Sequence, residues 1–175
     1  MKNLKFHLTS IAILIVVSIC GAQVNSKTII NDFEKLSGNW EGSLTYLDYS
    51  SGKPYTMPTK LKVTRIDETN KFIFSIKYPN ESSANSIDTI IISLDGKYLD
   101  RELIKSRKKL SNGNFQIVTE VLGQDGNDDK QANIKHNYNI GKTTFSIVKD
   151  VQFYGERKWI NRHTYSFTKS PNTNN

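Results

Sequence analysis

Two histidines, His136 and His163, are the side chains that could most readily donate to a metal ion or a haem iron. Each falls in phase with apolar residues that alternate along its segment, so both could point into one interior and converge there. Two histidines with no cysteine and no paired carboxylate fall short of a standard zinc site. We therefore expect hydrogen-bonded histidines in the core or at its rim, and the sequence predicts no metal site and no cofactor.

Three carboxylates gather in the segment Asp125-Gly126-Asn127-Asp128-Asp129. Such a cluster could attract Ca²⁺, but it lacks the twelve-residue spacing and the terminal bidentate Glu of a calcium-binding hand. Asp-Gly followed by Asn is also what a tight turn needs, because these residues tolerate positive φ. We interpret the segment as the tip of a hairpin.

The sequence contains no catalytic pattern that we can identify. It has neither a Gly-x-Ser-x-Gly elbow nor a glycine-rich loop that would cradle a phosphate. Asp100 and Glu102 are paired acids two positions apart, but their strand face is predicted to point outward, where charge is ordinarily solvated. No catalytic residue is predicted, and the expected function is non-enzymatic.

The first 22 residues have the order of a secretory signal peptide. Lys2 and Lys5 precede the apolar run 11–17, and the small residues Gly21 and Ala22 follow it. The run is too short to cross a membrane, which takes about 20 apolar residues. We expect cleavage after residue 22 and a secreted or periplasmic mature protein.

Cys20 opens a second interpretation, because Val17-Ser18-Ile19-Cys20 resembles a bacterial lipoprotein box. Such a box has a small residue directly before its cysteine, and the branched Ile19 makes this the minority interpretation. In that case Cys20 would be lipidated and would anchor an outer-surface lipoprotein to the membrane. Cys20 is the single cysteine of the chain, so the mature domain is expected to have no disulfide.

The charge of the mature chain is mildly basic. Lys2 and Lys5 leave with the signal peptide, so 22 of the 24 basic residues remain against 17 acidic ones, a net charge of +5. The densest basic stretch, 105–109, leads into a Ser-Asn-Gly-Asn turn and is explained by a solvated hairpin loop. Nucleic-acid binding would need a broader basic face with aromatic platforms, so no nucleic acid is predicted as a partner.

The periodicity of the chain predicts one short helix and then strands. Ile29, Ile30, Phe33 and Leu36 recur at helical spacing within 23–37, a linker and short helix. From residue 38 onward apolar residues alternate at period two between turn residues, and nine candidate strands follow: 40–48, 59–66, 71–78, 86–94, 98–105, 114–122, 131–140, 143–151 and 158–168.

Consecutive hairpins of this number are expected to curl and close, because closure removes exposed strand edges. We therefore predict an all-β fold, an antiparallel up-and-down barrel of about eight to ten strands over residues 38–168. A two-sheet sandwich remains the alternative. Residues 169–175 are predicted to be a disordered tail.

Alternation also predicts which side chains face the interior. These faces are apolar with sparse hydroxyl and imidazole groups, as in small-molecule pockets. The residues expected to bind a ligand are Leu44, Tyr46, Phe72, Phe74, Tyr78, Phe115, His136, Tyr138, His163 and Tyr165. The alternative is a filled core in which the tyrosine and histidine groups find backbone partners.

The start of the first strand, Leu36-Ser37-Gly38-Asn39-Trp40-Glu41-Gly42, is a short helix that runs into Gly-x-Trp. This opening resembles that of the lipocalin-like (calycin) barrels. The resemblance implies that Trp40 closes one end of the barrel beneath an arginine of the last strand, for which Arg162 is the candidate. Gly38-x-Trp40-x-Gly42 is also similar to the nitrobindin type, which implies haem binding through a late histidine, here His163.

These observations lead to an exported, non-enzymatic barrel that binds a small hydrophobic or amphipathic ligand. Tyrosine hydroxyls would orient the ligand, and burial of its apolar surface would drive binding. One alternative is a structural or interaction protein of the cell envelope with a filled barrel. Another is a haem-binding barrel of the nitrobindin type.

Overall fold

The computed structural model describes residues 25–48 and 51–171, and in them one helix precedes ten strands. Helix α1 spans Ser26–Glu34, and the side chain of Asn25 caps it by accepting a hydrogen bond from the Lys27 backbone N–H. The strands are β1 Gly38–Asp48, β2 Lys53–Arg65, β3 Lys71–Lys77, β4 Ser86–Ile91, β5 Tyr98–Leu99, β6 Glu102–Lys109, β7 Phe115–Asp125, β8 Lys130–Ile140, β9 Thr144–Phe153 and β10 Ile160–Lys169. None of the helices described is long and apolar enough to cross a membrane.

All ten strands form one antiparallel sheet in which chain neighbours pair, and β1 also pairs with β10. The two outer strands of this order are β4 and β5, which follow each other in the chain. A single bridge, Ile92 to Leu99, joins them, and the Asp100 N–H donates to the Ile91 carbonyl at 2.7 Å. The predicted all-β, antiparallel up-and-down barrel is confirmed, and its ring is nearly closed.

Several strand boundaries differ from the sequence-based expectation. The predicted strand 98–105 is two strands, because Asp100 adopts a left-handed conformation with φ +53 between β5 and β6. Lys169, expected in the tail, is the last residue of β10, and Ser170 donates its N–H to the Asn39 carbonyl. The predicted signal peptide lies outside the described residues.

Helix α1 lies over one end of the barrel, which we call the closed end. Ile29 and Phe33 of the helix, and Leu36 just after it, are fully buried, although the helix is only nine residues long. Two ion pairs hold it in place: Arg107 of β6 with the buried Asp32 at 2.5 Å, and Arg65 of β2 with Glu34 at 3.1 Å. Packing and charge together dock a helix that would be too short to persist alone in water.

The main hydrophobic core occupies the half of the interior next to α1, which we call the closed half. Phe33 projects from the helix into the barrel, with its ring 5.7 Å from Phe72, 6.0 Å from Tyr138 and 6.4 Å from Phe74. The deepest core side chains of this half have exposures of 0–2%: Ile29, Phe33, Leu36, Trp40, Leu61, Val63, Phe72, Phe74, Ile92, Leu99, Ile117, Ile140 and Phe145. The helix therefore fills this end of the barrel with side chains.

Candidate binding site in the barrel interior

A row of polar side chains crosses the interior at mid-height, and we call it the polar belt. The strand register places Tyr46 of β1 opposite His163 of β10, His163 opposite Lys149 of β9, Lys149 opposite His136 of β8, and His136 opposite Thr119 of β7. Directly paired residues point to the same face of a sheet. Five neighbouring strands thus present a hydroxyl, an imidazole or an ammonium group at one level of the barrel.

Apolar layers lie on both sides of the polar belt. Two positions further toward the closed end, the same register aligns Leu44, Tyr165, Ile147, Tyr138 and Ile117. Two positions toward the opposite end, which we call the mouth, a second apolar cluster forms: Ala132, Ile134 and Val151, with Val121 and Phe153 packed against it. The belt is therefore a polar level between two apolar ones.

Glu102 of β6 anchors one end of the belt. Its carboxylate accepts a short hydrogen bond from the Thr119 hydroxyl and a bond from His136 Nδ1 at 2.9 Å. Burial would raise the pKa of Glu102, but the hydrogen bond and charge of His136, together with the Thr119 bond, outweigh it and lower the pKa. Because an ionised carboxylate only accepts hydrogen bonds, His136 donates its Nδ1–H to Glu102.

The expectation that Glu102 is a solvated outward charge is wrong. The left-handed turn at Asp100 and the register shift in β6 between Ile104 and Ser106 break the simple alternation. Glu102 consequently points to Thr119 and His136 in the interior, and its side chain is only 19% exposed.

His163 is neutral in this environment. Burial lowers its pKa to about 4, and the charges of Lys149, His136 and Arg162 act in the same direction against the opposing charge of Asp125. Its ring lies edge-on to Tyr165, with the ring centres 5.3 Å apart. The imidazole is therefore held as a lone-pair donor and hydrogen-bonding group rather than as a cation.

Asp125 joins β7 to two cations across the interior, and we call this group the Asp125 triad. Lys149 Nζ lies 2.5 Å from its carboxylate, and Arg162 approaches it through Nε at 2.9 Å and Nη2 at 2.8 Å. Asp125 is only 8% exposed. The hairpin tip 126–129 follows directly, with Gly126 and Asp129 at positive φ.

Asp125 itself thus turns away from the exposed tip and into the interior. Among the described residues, no group of three or more His, Cys, Asp or Glu side chains is placed to hold a metal ion. The neighbouring Asp128 instead pairs with Lys130 at 2.7 Å.

The expected pairing of Trp40 with Arg162 is wrong. Trp40 pairs in register with Lys169, whose Nζ lies 5.2 Å from the indole ring, and the indole N–H donates to the Leu36 carbonyl at 2.6 Å. Arg162 lies seven positions earlier on β10, toward the mouth, where a β-bulge between Asn161 and His163 turns it inward to Asp125. Trp40 therefore lies at the closed end, but the cation beside it is a lysine.

Other predicted ligand-binding residues divide between the two halves. Leu44, Tyr138 and Tyr165 line the apolar layer next to the belt, and the Tyr78 and Tyr165 hydroxyls lie 2.6 Å apart. Burial and that hydrogen bond raise the pKa of Tyr165, which keeps the phenol neutral. The remaining three are in the closed half or at its edge: Phe72, Phe74 and Phe115.

Phe72 and Phe74 are covered by Phe33 of α1 and are not free to meet a ligand. Phe115 is covered by two cations, with Lys35 Nζ 3.9 Å and Arg107 Cζ 4.4 Å from its ring centre. The docked helix explains why all three rings are covered. Its position at the closed end brings Phe33, Lys35 and Arg107 against them.

Lys149, Glu102 and Asp125 were missed as site residues. A signal for Lys149 exists in the sequence, since it is a charge at an inward position in the alternation Phe145, Ile147, Lys149, Val151. A charged side chain at an inward position indicates that it has a buried partner or that water reaches the interior.

Comparison with known proteins adds little to this geometry. No protein-family model and no curated protein matches the sequence. Among solved structures, the crystal structure of Rv2717c from M. tuberculosis is similar, with 10% sequence identity and a TM-score of 0.49 over 81% of this chain and 97% of that chain. A likeness this distant shows nothing about activity or ligand.

Proposed function

We propose that this protein is an exported, non-enzymatic binding module whose barrel takes up a small amphipathic molecule between the closed half and the mouth. The polar belt between two apolar layers is the observation that carries the proposal. Ligand pockets combine apolar walls with a few fixed polar groups, and this interior has that composition. Belt hydroxyls and imidazoles would orient the molecule, while the apolar layers would remove its hydrocarbon surface from water.

The exposure of the belt residues supports access from the mouth. The side chains of His136, Glu102 and Lys149 point inward yet remain 17%, 19% and 22% exposed. Phe33, in the closed half, is 0% exposed. Water that reaches the belt but not the closed half would be displaced by an apolar ligand, which favours binding.

Binding can be tested with the neutral fluorophore N-phenyl-naphthylamine and a dansyl-labelled undecanoic acid. We expect saturable fluorescence enhancement with the wild-type protein. The variant Ile147→Trp fills the layer beside the belt and should weaken the affinity by about tenfold or more. Val148→Trp places the same ring on the outer face of the same strand, as the matched control, and should bind as the wild type does.

Thermal unfolding of both variants shows whether weaker binding comes from the filled interior or from a loss of folded protein. Failure of the wild type to bind either probe would contradict the proposal and favour a filled barrel that acts through its surface. Equal binding by both tryptophan variants would place the probe outside the barrel and would contradict it as well.

A second candidate is haem binding at His163, and the neutral state of this buried imidazole favours it. A bound haem would supply an iron centre, and His163 fits the part of its axial ligand because its lone pair is not protonated at neutral pH. Titration with haemin should shift the Soret band in the wild type and in His136→Ala, but not in His163→Ala. An unshifted band in the wild type ends this candidate.

A further inference from the structure

We propose that the protein also binds an extended segment of another polypeptide, which adds as an antiparallel strand to the free edge of β7 near the mouth. This inference goes beyond the proposed function and does not depend on a ligand in the barrel interior. It rests on a notch in the barrel wall, on unpaired backbone groups along that notch, and on an apolar cleft beside it.

The wall of the barrel is incomplete between β4 and β7. Toward the closed end β5 and β6 lie between them, but β5 has only two residues and β6 begins at Glu102. The last pair of the β6–β7 ladder is Leu103 with Glu120, so among the described residues segment 121–125 of β7 pairs with β8 alone. Segment 86–90 of β4 pairs in the same way with β3 alone. We call the space between these two segments the wall notch, and it is about 14 Å wide where β5 and β6 end, because three strand spacings separate β4 from β7 there.

Alternate backbone groups of β7 point into the wall notch. The Gln131 carbonyl accepts a hydrogen bond from the Tyr154 N–H, so Gln131 directs its backbone groups toward β9 and away from β7. Gln124 lies opposite Gln131 in the ladder and therefore directs its own N–H and C=O away from β8, into the notch. Leu122, two positions earlier, does the same. Within residues 25–48 and 51–171, no group bonds to these backbone atoms of Leu122 and Gln124.

Unpaired N–H and C=O groups along a strand edge match the backbone of another strand. An added strand would continue along β7 the pairing that β6 provides nearer the closed end. We expect it to be antiparallel, because every ladder of this barrel is antiparallel and such pairing is the more stable kind. In that orientation the residues that bond to β7 carry their side chains on the same face as Leu122 and Gln124, which is the outer face.

Apolar surface lies beside this edge on the outer face of the barrel. Leu122 and Tyr154 are 81% and 87% exposed, and both border a cleft of about 430 Å³. The polar side chains that line the cleft are the neutral amides of Gln124, Gln131 and Asn133. An aromatic or aliphatic side chain of the added strand would lie next to Leu122, reach this cleft and remove apolar surface from water.

Charge at the wall notch favours a basic segment. Asp88 of β4 is opposite the buried Phe74 and so lies at an inward position, yet it is exposed, because no strand covers this side of β4. Its carboxylate accepts a hydrogen bond from the Ser86 hydroxyl at 3.1 Å, and within the described part of the chain it forms no ion pair. A Lys or Arg at an inward position of the added strand would complement this charge.

The other acids beside the wall notch already have partners. Asp100 accepts a hydrogen bond from the Ile91 N–H at 2.7 Å and has Arg101 next to it. Glu102 and Asp125 are bonded as described above. Asp88 is therefore the carboxylate that a basic partner would meet.

The occupant is a segment of another polypeptide rather than a part of this chain. Ser170 bonds to Asn39 at the closed end, and the four residues that follow Pro171 span at most about 14 Å, too little to reach β7 near the mouth. The predicted signal peptide, 1–22, would leave on export. The free edges of a second folded copy lie within its own notch, so they are not placed to enter this one.

The experiment measures the fluorescence anisotropy of a fluorescein-labelled peptide, Lys-Val-Thr-Phe-Lys-Val-Thr. Its Val and Phe side chains would point outward to Leu122 and the cleft, and its Lys and Thr side chains inward toward Asp88. We expect saturable binding by the wild type. N-methylation of the Val and Phe amides should abolish it, because these amides bond to β7, whereas N-methylation of the inner Thr and Lys amides should change the affinity by no more than about twofold. Replacement of both Lys by Glu should weaken binding severalfold.

Two variants at one position test the β7 edge itself. Gln124→Pro removes the backbone N–H that points into the notch, and proline is tolerated at a strand edge where this group has no partner. It should weaken binding of the peptide about tenfold or more. Gln124→Ala loses the same side chain but keeps the N–H, so this matched control should bind as the wild type does. Asp88→Asn should remove the preference for the Lys peptide over the Glu peptide.

Absence of saturable binding of the unmodified peptide would overturn the inference. Equal effects of the two N-methylation patterns would overturn it too, because the peptide would then not bind as a strand with one bonded edge. The two methylated peptides need no variant, so they decide the matter even where Gln124→Pro does not fold. Loss of peptide binding in Ile147→Trp would place the peptide in the barrel interior and would also overturn it, while the proposed function would remain in place.

Discussion

The two halves of the barrel interior are built by the same strands and filled in opposite ways. In the closed half, α1 inserts Phe33 among aromatic rings, and side chains such as Phe72 and Trp40 have 0% and 1% of their surface exposed. In the mouth half, no helix among the described residues covers the barrel, and charged pairs such as Lys149 with Asp125 occupy the interior. Apolar packing therefore stabilises one half, whereas ion pairs and hydrogen-bonded groups occupy the other.

The largest expected effect comes from emptying the closed half. Phe33→Ala removes the ring that α1 places among Phe72, Phe74 and Tyr138, and should lower the free energy of unfolding by about 3–5 kcal/mol. Urea unfolding measures this loss. Leu122→Ala, at a side chain that is 81% exposed, should change stability by less than about 0.5 kcal/mol.

If the packing of α1 contributes little to stability, Phe33→Ala will change the free energy of unfolding no more than Leu122→Ala does. That result would contradict the distinction between a packed closed half and a polar mouth half.

A smaller effect is expected from pH, and it should arise in the mouth half. The unfolded chain takes up a proton at His163 below about pH 6.5, whereas the folded protein does so only near pH 4. Its contribution to stability is thus complete above pH 6.5 and is lost as the pH falls toward 4. The free energy of unfolding should drop by about 2 kcal/mol between pH 7 and pH 5 on account of His163.

Urea unfolding of the wild type and of His163→Asn at both pH values isolates this contribution, since the remaining groups are common to both proteins. Glu102, whose pKa is lowered, loses its contribution only at more acidic pH and stays outside this window. An identical pH dependence in the two proteins would show that the mouth half is not electrostatically sensitive at His163.

The smallest expected effect is a gain in stability. Thr59 is 1% exposed, and its hydroxyl has no hydrogen-bond partner among the described residues. Thr59→Val keeps the shape and removes the buried polar atom, so it should raise the free energy of unfolding by about 1 kcal/mol. Thr45→Val serves as the control, because the Thr45 hydroxyl is exposed and bonded to Thr56 at 2.8 Å.

A rise in thermal unfolding temperature for Thr59→Val alone would show that this part of the interior tolerates no unpaired polar group. A fall would indicate that a water molecule satisfies Thr59 and that the apolar filling extends less far than the closed half suggests.

The amino-acid sequence by itself determined the class of fold, the helix before the strands and the inward phase of most positions. Period-two alternation is local, so it indicates the inward face of a strand wherever the ladder is regular. Tyr46, His136 and His163 are at inward positions for that reason.

Only the tertiary structure decided which of these faces the helix covers and which charges meet. The bulge beside Arg162 and the irregular start of β6 shift the phase at single residues, and a one-residue shift turns a side chain to the other face. The partners of Asp125 lie 24 and 37 positions along the chain, and Phe33 covers Phe72 from a separate element. Such contacts depend on the curvature of the whole barrel, which no local pattern of residues encodes.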